Sequence, residues 1–283
     1  MRIGTAAEWR ENFKAIRPLG QGGYGTVWLC RELSSNTLRA VKTVRDDKIR
    51  NKSWSEERQD YMPNELIFWE NLDHPNIISL ISVYLDSEIP LWYFVMEYNP
   101  GFVDLFRYID TAEFMENKVA ATIIRQLVKV VYYLTLQNVD HRDLKDENIL
   151  YNPVTHQIKL IDFGSSAELT SEPYQMFRGT DVYIPPEFYQ TGKYHPFQAT
   201  VWAIGCLSYI LLYGDGPFQT SQDVTKFLTL DLLEPASLGN RTLRLKFLRS
   251  CLTRDPHQRI LLSDLIRHPW IRSDQSVWLT KKS

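Results

Sequence analysis

Two polar motifs contain the residues of this sequence best suited to chemistry: HRDLKDEN at residues 141–148 and DFG at residues 162–164. Transfer of a phosphoryl group to a hydroxyl needs a carboxylate that orients the hydroxyl and accepts its proton, and Asp143 has that chemistry. It also needs hard oxygen ligands for magnesium, which Asn148 and Asp162 provide. One tripeptide can arise by chance, but the two motifs in this order indicate a phosphoryl-transfer site.

Two lysines can supply the positive charge that a transferring phosphoryl group requires. Lys145 lies inside the first motif, and Lys42 ends the alternating strand Ala40-Val41-Lys42. An isolated lysine on an edge strand usually faces solvent, but Lys42 follows a glycine-rich run, and this order favours a phosphate ligand. A buried cation needs a counter-charge, and Glu65, on a short predicted helix, is the candidate.

The glycine-rich run at residues 20–27 (GQGGYGTV) is the candidate phosphate-binding loop. Gly20, Gly22 and Gly25 let the backbone approach phosphate oxygens and donate N–H groups to them. By itself a GxGxxG pattern fits a dinucleotide-binding turn or a tight hairpin about equally well. A dinucleotide-binding turn should open a helix, whereas the residues after Gly25 are typical of a strand, and the sequence has no GxxxxGK[ST] loop.

The composition describes an ordinary globular protein, with 44% hydrophobic and 23% charged residues and a formal net charge of −2. A near-neutral field attracts neither nucleic acid nor a membrane, and no apolar run approaches the roughly 20 residues that span a bilayer. The cysteines Cys30, Cys206 and Cys251 form no CxxC pair, which argues against a disulfide framework or a zinc site. We therefore expect a cytoplasmic or nuclear protein that is a monomer.

The strand pattern dominates the first third of the chain. From Phe13 to about Tyr98, short runs rich in β-branched and aromatic residues alternate with glycine and polar turns. The predicted strands are AIRPLG, GTVWLCREL, LRAVKTV, LISVYLD and LWYFVMEY. One helix is predicted at residues 64–71, and the charged stretch at residues 45–60 is interpreted as an exposed connection.

After the turn Asn99-Pro100-Gly101 the pattern becomes helical. Apolar side chains recur at helical spacing in residues 117–136. Later helices are predicted at residues 199–213, 221–231, 241–252 and 260–268, with short strands near 149–151 and 158–161. The predicted fold class is therefore α+β, with a β-rich first lobe, a short linker and a mainly helical second lobe.

Taken together, the glycine loop, strand lysine, helix glutamate, HRDxxxxN and DFG resemble the signature of the protein kinases. The resemblance continues through Gly179-Thr180, Pro186-Glu187, Trp202, Gly205 and Arg259, and covers about residues 13–270. It implies the two-lobed protein-kinase fold, ATP and Mg²⁺ as cofactors, and an ion pair between Glu187 and Arg259. It also implies a single catalytic domain over residues 1–283, with an N-lobe at about 13–97, a hinge at about 97–101 and a C-lobe at about 102–272.

Within the kinases, the segments HRDLKDENIL, LIDFGSSAEL, GTDVYIPPEF, ATVWAIG and GDGPF resemble the Pim family, with the PAS-domain kinases as the second match. Three positions depart from the usual patterns. Thr200 stands where most kinases carry an aspartate that braces the catalytic-loop backbone, although Pim kinases also lack it. Asn99 replaces the hinge proline of Pim kinases, so its N–H is available to adenine. Asp140 replaces the usual apolar residue before HRD, for which the sequence offers no explanation.

The same resemblance implies a set of nucleotide contacts. The adenine contacts would be Val27, Ala40, Leu150, the gatekeeper Met96, the Glu97 carbonyl and the Asn99 N–H, and the ribose contact would be Asp104. Each of the apolar residues, considered alone, is more often ordinary core.

The resemblance implies a serine/threonine protein kinase, because Lys145 in the catalytic loop and the downstream Gly179-Thr180 are similar to that branch rather than to the tyrosine kinases. A pseudokinase, a scaffold of the same fold, is the alternative. It should have lost Lys42, Asp143 or Asp162, and all three are present. A dinucleotide-dependent oxidoreductase, suggested by the glycine run alone, conflicts with the strand that follows it.

The expected partners are protein substrates with basic residues before the acceptor. Asp104 and Glu147 lie where basophilic kinases place carboxylates against substrate arginines, and Asp215 is a third candidate. We expect arginine three residues before the acceptor, with a weaker preference at two before because Ile210 replaces an acidic residue there.

The activation segment lacks its usual phosphate acceptor, because Met176 occupies that position. Kinases with an arginine before the catalytic aspartate commonly need that phosphate as a partner for the arginine, which here is Arg142. The nearest hydroxyls are Thr170, Ser171 and Tyr174. We expect activity without phosphorylation of this segment, with a carboxylate such as Glu172 as the partner of Arg142.

Overall fold

The computed structural model describes residues 1–21, 25–111, 115–218, 220, 223–224 and 241–272. It divides the chain into two compact units. The first comprises Met1–Gly101 with Asp162–Gly164, and the second comprises Phe102–Ile161 with Ser165–Ser283. Most of the helix predicted at residues 221–231 lies outside the described residues, as does Gly22.

The first unit is built on strands, with two short helices. In chain order its elements are β1 (Ile3–Thr5), α1 (Ala6–Asn12), β2 (Phe13–Gln21), β3 (Thr26–Glu32), β4 (Leu38–Arg45), β5 (Lys52–Ser55), β6 (Asp60–Pro63), α2 (Asn64–Trp69), β7 (Leu80–Asp86) and β8 (Leu91–Glu97). Six strands form one sheet in the order β1-β7-β8-β4-β3-β2, and β5 and β6 form a separate hairpin. The neighbouring strands of the sheet are antiparallel except for β1 and β7.

The five strands predicted in this region are confirmed, as is the helix before His74. Two features were missed. The first residues form β1 and α1 because Trp9 stacks on Phe13 at 4.6 Å and on Tyr93 at 4.7 Å, contacts with a strand remote in sequence. The stretch interpreted as an exposed connection contains β5 and runs into β6. Their hairpin buries Ser55 and Met62 and exposes the aromatic residues Trp54 and Tyr61, so it lacks the apolar alternation that marks a half-buried strand.

The second unit is mainly helical. Its elements are β9 (Val103–Asp104), α3 (Leu105–Thr111), α4 (Asn117–Leu136), β10 (Val139–Asp140), β11 (Ile149–Tyr151), β12 (Ile158–Leu160), β13 (Ala167–Glu168), α5 (Pro186–Thr191), α6 (Pro196–Tyr213), α7 (Arg241–Cys251), α8 (Leu262–Leu265) and α9 (Pro269–Arg272). The helix α4 agrees with its prediction at both ends, whereas α8 is much shorter than predicted. A β-rich first part and a helical second part agree with the predicted α+β fold class.

The helices α4 and α6 form the centre of this unit and pack on each other. Apolar residues on both helices are fully buried, among them Leu127, Val130, Trp202 and Leu207. By length and composition both helices could cross a membrane, but 50% of the apolar stretch of α4 and 56% of that of α6 are buried inside the protein, and core helices of soluble proteins have the same length and composition.

A small three-stranded sheet and a separate strand pair shape the loops of the second unit. The strand β11 pairs with β12 and with β9, which places Leu150 opposite Asp104. The strand β10 pairs with β13, which places Asp140 opposite Ala167. The HRD motif therefore begins directly at the end of a strand that is held by the activation segment.

Candidate active site

In the first unit, Lys42 lies between two carboxylates. Its Nζ is 2.7 Å from Glu65 Oε1 and 3.1 Å from Asp162 Oδ1. Burial alone would lower the pKa of Lys42, but the charges of Asp162 and Glu65 outweigh it and hold the pKa above its ordinary value. Burial raises the pKa of Glu65, against the nearby charge of Lys42. The predicted counter-charge of Lys42 is present, and the lysine remains a cation at neutral pH.

Sheet register explains why these groups meet. Lys42 in β4 lies opposite Val27 of β3 on one side and Phe94 of β8 on the other, so its main chain is paired with a neighbouring strand on both sides. Glu65 is in the first turn of α2, where a carboxylate interacts favourably with the helix dipole.

The DFG residues are anchored within the same unit. Phe163 is fully buried and stacks on Trp69 of α2 with ring centroids 6.0 Å apart. The amide of Asn51 donates to the Gly164 carbonyl at 2.8 Å. Asp162 has φ 64°, a left-handed conformation that costs a non-glycine residue about 1–3 kcal/mol and is tolerated at functional sites. The packing of Phe163 thus fixes the direction in which Asp162 points.

The two strands that flank the glycine loop are paired as a hairpin, with Gly20 opposite Val27 and Gln21 opposite Thr26. A strand follows the loop, as predicted, in place of the helix that a dinucleotide-binding turn would open. A Cβ on Gly25 would collide with the Thr43 carbonyl, so only glycine allows this close approach of the loop to β4.

The predicted adenine contacts are distributed over both units. In the first unit Ala40 of β4 lies opposite the buried gatekeeper Met96 of β8. The main chain of Glu97 donates to the Ser79 carbonyl at 3.0 Å, and its carboxylate accepts from the Ser79 N–H at 2.9 Å, which pins the start of the predicted hinge before Asn99.

Two further predicted contacts, Leu150 and Asp104, are neighbours across β11 and β9 in the second unit. The carboxylate of Asp104 also accepts from the Arg107 N–H at 3.3 Å, which caps α3. Asp104 therefore has a structural contact in addition to the ribose contact predicted for it.

In the second unit, a set of side chains orients the carboxylate of Asp143. Asn148 Nδ2 donates to Asp143 Oδ2 at 3.0 Å and to the Asp143 carbonyl at 2.8 Å. The Thr180 hydroxyl lies 3.4 Å from Asp143 Oδ1. Because the amide nitrogen of Asn148 is used in this way, its amide oxygen is the atom suited to face a cation.

Lys145 joins the catalytic loop to the end of the activation segment. Its Nζ is 2.8 Å from the Thr180 hydroxyl, 3.0 Å from Glu147 Oε2 and 3.4 Å from Asp143 Oδ2. Burial opposes its charge, but the charges of Asp143 and Glu147 raise the pKa of Lys145 above its ordinary value. Lys145 is thus a fixed cation beside the predicted catalytic carboxylate.

Gly179 allows this contact between the two segments. A Cβ there would lie 3.0 Å from the Arg142 carbonyl, tighter than backbone packing normally permits. The glycine before Thr180 therefore favours the close approach of the activation segment to the catalytic loop.

Arg142 has a different partner from the one predicted. It donates to the Met176 carbonyl at 3.0 Å and to the Tyr194 hydroxyl at 3.4 Å. Its guanidinium lies over the ring of Tyr174, 4.3 Å from the centroid. The expected pairing of Arg142 with Glu172 is wrong, because Glu172 is exposed and the guanidinium is held by the three contacts just described. The carboxylate near Arg142 is Asp140, whose Oδ1 accepts from the Arg142 N–H at 3.3 Å.

These residues fit ATP and magnesium. The oxygen atoms of Asp162 and Asn148 are donors of the kind that magnesium takes, since this ion is held by one or two carboxylates together with substrate phosphates. No group of three or more His, Cys, Asp or Glu that could hold a metal occurs among the described residues. Bound ATP supplies the phosphoryl group, and Mg²⁺ neutralises the charge that develops on it. In this chain Asn148 and Asp162 are the residues that would hold the metal, and Lys42 is the residue that would hold the α- and β-phosphates.

The fold and these motifs define a protein kinase. A family model described as protein kinase domain matches residues 13–271, so the chain belongs to that family. It is 33% identical over 263 residues to serine/threonine-protein kinase pim-2 of Danio rerio, which covers 89% of this chain and 82% of that protein. It is 32% identical to the PAS domain-containing serine/threonine-protein kinase of Mus musculus (93% of this chain, 19% of that protein), and 30% identical to Aurora kinase B of Mus musculus (93% and 74%).

The predicted resemblance to the Pim and PAS-domain kinases is confirmed by these relatives. The chain is a protein serine/threonine kinase, with the two-lobed kinase fold and the ATP and Mg²⁺ requirement general to that family. Sequence reasoning missed the roles of Asp140, Thr180 and Trp69. Each of these roles depends on a contact with a residue far along the chain or on the direction in which a side chain points. Local sequence patterns indicate neither of these.

Proposed function

We propose that this kinase transfers the γ-phosphoryl group of ATP to serine or threonine in substrates with upstream arginine, and that it does so without phosphate on its activation segment. The observation that carries the proposal is the arrangement around Asp143. Its carboxylate is oriented by Asn148 and Thr180 and lies beside Lys145, and all of these contacts come from protein side chains.

In this proposal Asp143 orients the acceptor hydroxyl and takes its proton as the new bond forms. Lys145, a fixed cation that also holds Thr180, stabilises negative charge on the transferring group. Lys42 and Glu65 position the phosphates from the first unit, where their ion pair is already formed at 2.7 Å.

Arginine recognition is supported by two acidic residues on neighbouring elements of the second unit. Asp104 lies where β9 meets α3, and Glu147 lies in the 3₁₀ turn at 146–148 that packs against both elements. The side chain of Glu147 is 49% exposed, so it can reach a substrate. Asp215, the third candidate, is also exposed. A carboxylate prefers arginine to lysine because the guanidinium can donate two parallel hydrogen bonds.

A degenerate peptide library tests this preference directly. We expect selection of arginine three residues before the acceptor, and a loss of about tenfold or more in kcat/KM when that arginine becomes alanine, as for a charge-assisted hydrogen bond. Selection of proline after the acceptor, or of acidic residues around it, would contradict the proposal.

Two variants assign the preference to residues. Asp104→Asn keeps an oxygen to cap α3, and Glu147→Gln keeps the side-chain length, so each should weaken arginine selection without unfolding the protein. Asp110→Asn is the matched control, because Asp110 is exposed on the same helix α3. An equal loss of selection in all three variants would show that the effect is not specific to Asp104 and Glu147.

A further inference from the structure

Two positions at which this chain departs from the usual kinase pattern, Asp140 and Thr200, border the same cavities in the second unit. Asp140 and Thr200 both line a cavity of about 30 Å³ together with Arg142 and Asp143. Both also line a second cavity of about 20 Å³ beside His141. Thr200 of α6 therefore stands in place of the aspartate that braces the catalytic loop in most kinases. The additional carboxylate, that of Asp140, borders the same cavities.

The carboxylate of Asp140 contacts the main chain of the catalytic loop directly. It is buried, with 7% of its surface exposed, and its Oδ1 accepts from the main-chain N–H of Arg142 at 3.3 Å. Arg142 has φ 65°, a left-handed conformation that a non-glycine residue holds only when its surroundings impose it. A buried acceptor aimed at its N–H is one such constraint.

The same carboxylate also interacts electrostatically with the positive charge of Arg142. Burial raises the pKa of Asp140 to about 6, against the opposing effects of the Arg142 charge and the Arg142 N–H. Asp140 is therefore mostly ionised at neutral pH. The titratable and charged groups around it are His141, Arg142, Asp143, Tyr174 and Tyr194.

We propose that Asp140 is a positioning residue for phosphoryl transfer: its carboxylate braces the catalytic loop in place of the aspartate absent at Thr200, and balances Arg142 in place of the phosphate that Met176 cannot carry. The inference rests on the phosphate-independent activity proposed above. The Asp140 carboxylate thus both braces the catalytic loop and balances the charge of Arg142. The guanidinium of Arg142 binds Met176 and Tyr174 of the activation segment.

A double-mutant cycle between the two positions tests the bracing role. Asp140→Leu restores the usual apolar residue and removes the acceptor, and we expect kcat to fall by about tenfold or more while KM for ATP stays nearly unchanged. Thr200→Asp alone should also lower kcat, because two carboxylates would then border the same cavity. Thr200→Asp in the Asp140→Leu background should instead restore most of the activity, because the catalytic loop then again has one carboxylate to brace it.

The reversal of sign of the Thr200→Asp effect is a readout that a merely structural role would not produce. If Asp140→Leu turned over like the wild type, or if Thr200→Asp failed to rescue it, the bracing role would be refuted.

Asp140→Asn is the second variant in case the leucine variant does not fold. It keeps an acceptor for the Arg142 N–H but loses the charge, so we expect a smaller loss of kcat and a pH–rate profile that no longer falls as the pH drops through about 6. An unchanged rate and profile would refute the charge-balancing role.

The dephosphorylated wild type is assayed alongside the variants, which separates this inference from the proposal beneath it. An inactive dephosphorylated wild type would refute phosphate-independent activity. An active one together with unaffected Asp140 variants would refute the role of Asp140 alone.

Discussion

Arg259 and Glu187 form a bidentate ion pair inside the second unit, with Arg259 Nη1 2.9 Å from Glu187 Oε1 and Arg259 Nη2 2.8 Å from Glu187 Oε2. The side chain of Arg259 is fully buried, and its guanidinium also donates to the Gln198 carbonyl and lies 5.0 Å from the centroid of the Trp202 ring. The pair predicted from the resemblance is therefore present, and it ties the start of α5 to the loop between α7 and α8.

Removing one partner of this pair should destabilise the protein strongly. Glu187→Gln leaves a buried guanidinium without its counter-charge, and we expect a loss of about 3–5 kcal/mol in the free energy of unfolding, measured by urea denaturation. Glu172→Gln, at an exposed site, is the control and should stay within about 0.5 kcal/mol of wild type. A Glu187→Gln variant as stable as this control would show that the pair contributes little.

Substitutions at Asp143 and Asp162 should remove turnover without removing the fold. Asp143→Asn and Asp162→Asn should each lower kcat by orders of magnitude, because the first loses the proton acceptor and the second a carboxylate for the metal. Labelled phosphate transfer to a peptide, with and without magnesium, measures the effect, and circular dichroism checks the fold. The exposed Asp264 supplies the control, Asp264→Asn. Near-wild-type activity in Asp162→Asn would overturn its assignment.

Substitutions of Lys42 and Glu65 should differ in severity. Lys42→Met removes the phosphate contact and should lower turnover as strongly as the loss of Asp162. Glu65→Gln should cost less, because Lys42 keeps its contact with Asp162 at 3.1 Å. Steady-state kinetics at varied ATP concentration distinguishes the two variants. Equal losses would mean that Glu65 does more than hold the lysine.

Phosphatase treatment should leave most of the activity intact. Protein made without an upstream kinase and verified by intact mass should phosphorylate peptide at a rate close to that of untreated protein, because Arg142 already has protein partners. The Thr170→Ala/Ser171→Ala variant should behave in the same way, and Tyr174→Phe keeps the ring beneath Arg142. An inactive dephosphorylated enzyme that is rescued by modification at one of these sites would contradict the prediction.

The stability of the protein should depend on pH through Asp140. Burial raises the pKa of its carboxyl from 3.8 to about 6, so the folded state disfavours the ionised form. The contribution of the Asp140 carboxyl to the free energy of unfolding is fully present below the pKa of the unfolded state, and it is lost as the pH rises through about 6. At pH 7.5, Asp140→Asn should therefore be more stable than wild type by up to roughly 3 kcal/mol.

Urea unfolding of both proteins at pH 4 and pH 7.5 measures this difference, which should shrink at the lower pH because the wild-type carboxyl is then largely protonated. The same variant is expected to be slower in catalysis, so stability and activity should move in opposite directions. A variant destabilised equally at both pH values would contradict this linkage.

The amino-acid sequence by itself determined the chemistry and the fold class. Asp143, Asn148 and Lys145 lie within one short motif, and the strands of the first lobe have apolar patterns that are readable locally. The ion pair of Lys42 with Glu65 could be predicted because a buried cation needs a counter-charge.

Only the tertiary structure decided what surrounds Arg142. From the sequence, Glu172 was the expected partner of Arg142 and Asp140 had no explanation. In the structure the pairing of β10 with β13 buries Asp140 against the catalytic loop, while Glu172 is left exposed. Likewise, α1 is anchored by contacts of Trp9 with Tyr93, a residue far along the chain. Local sequence sets which side chains can ionise or pack, whereas their partners depend on which distant backbone segments come to lie beside them.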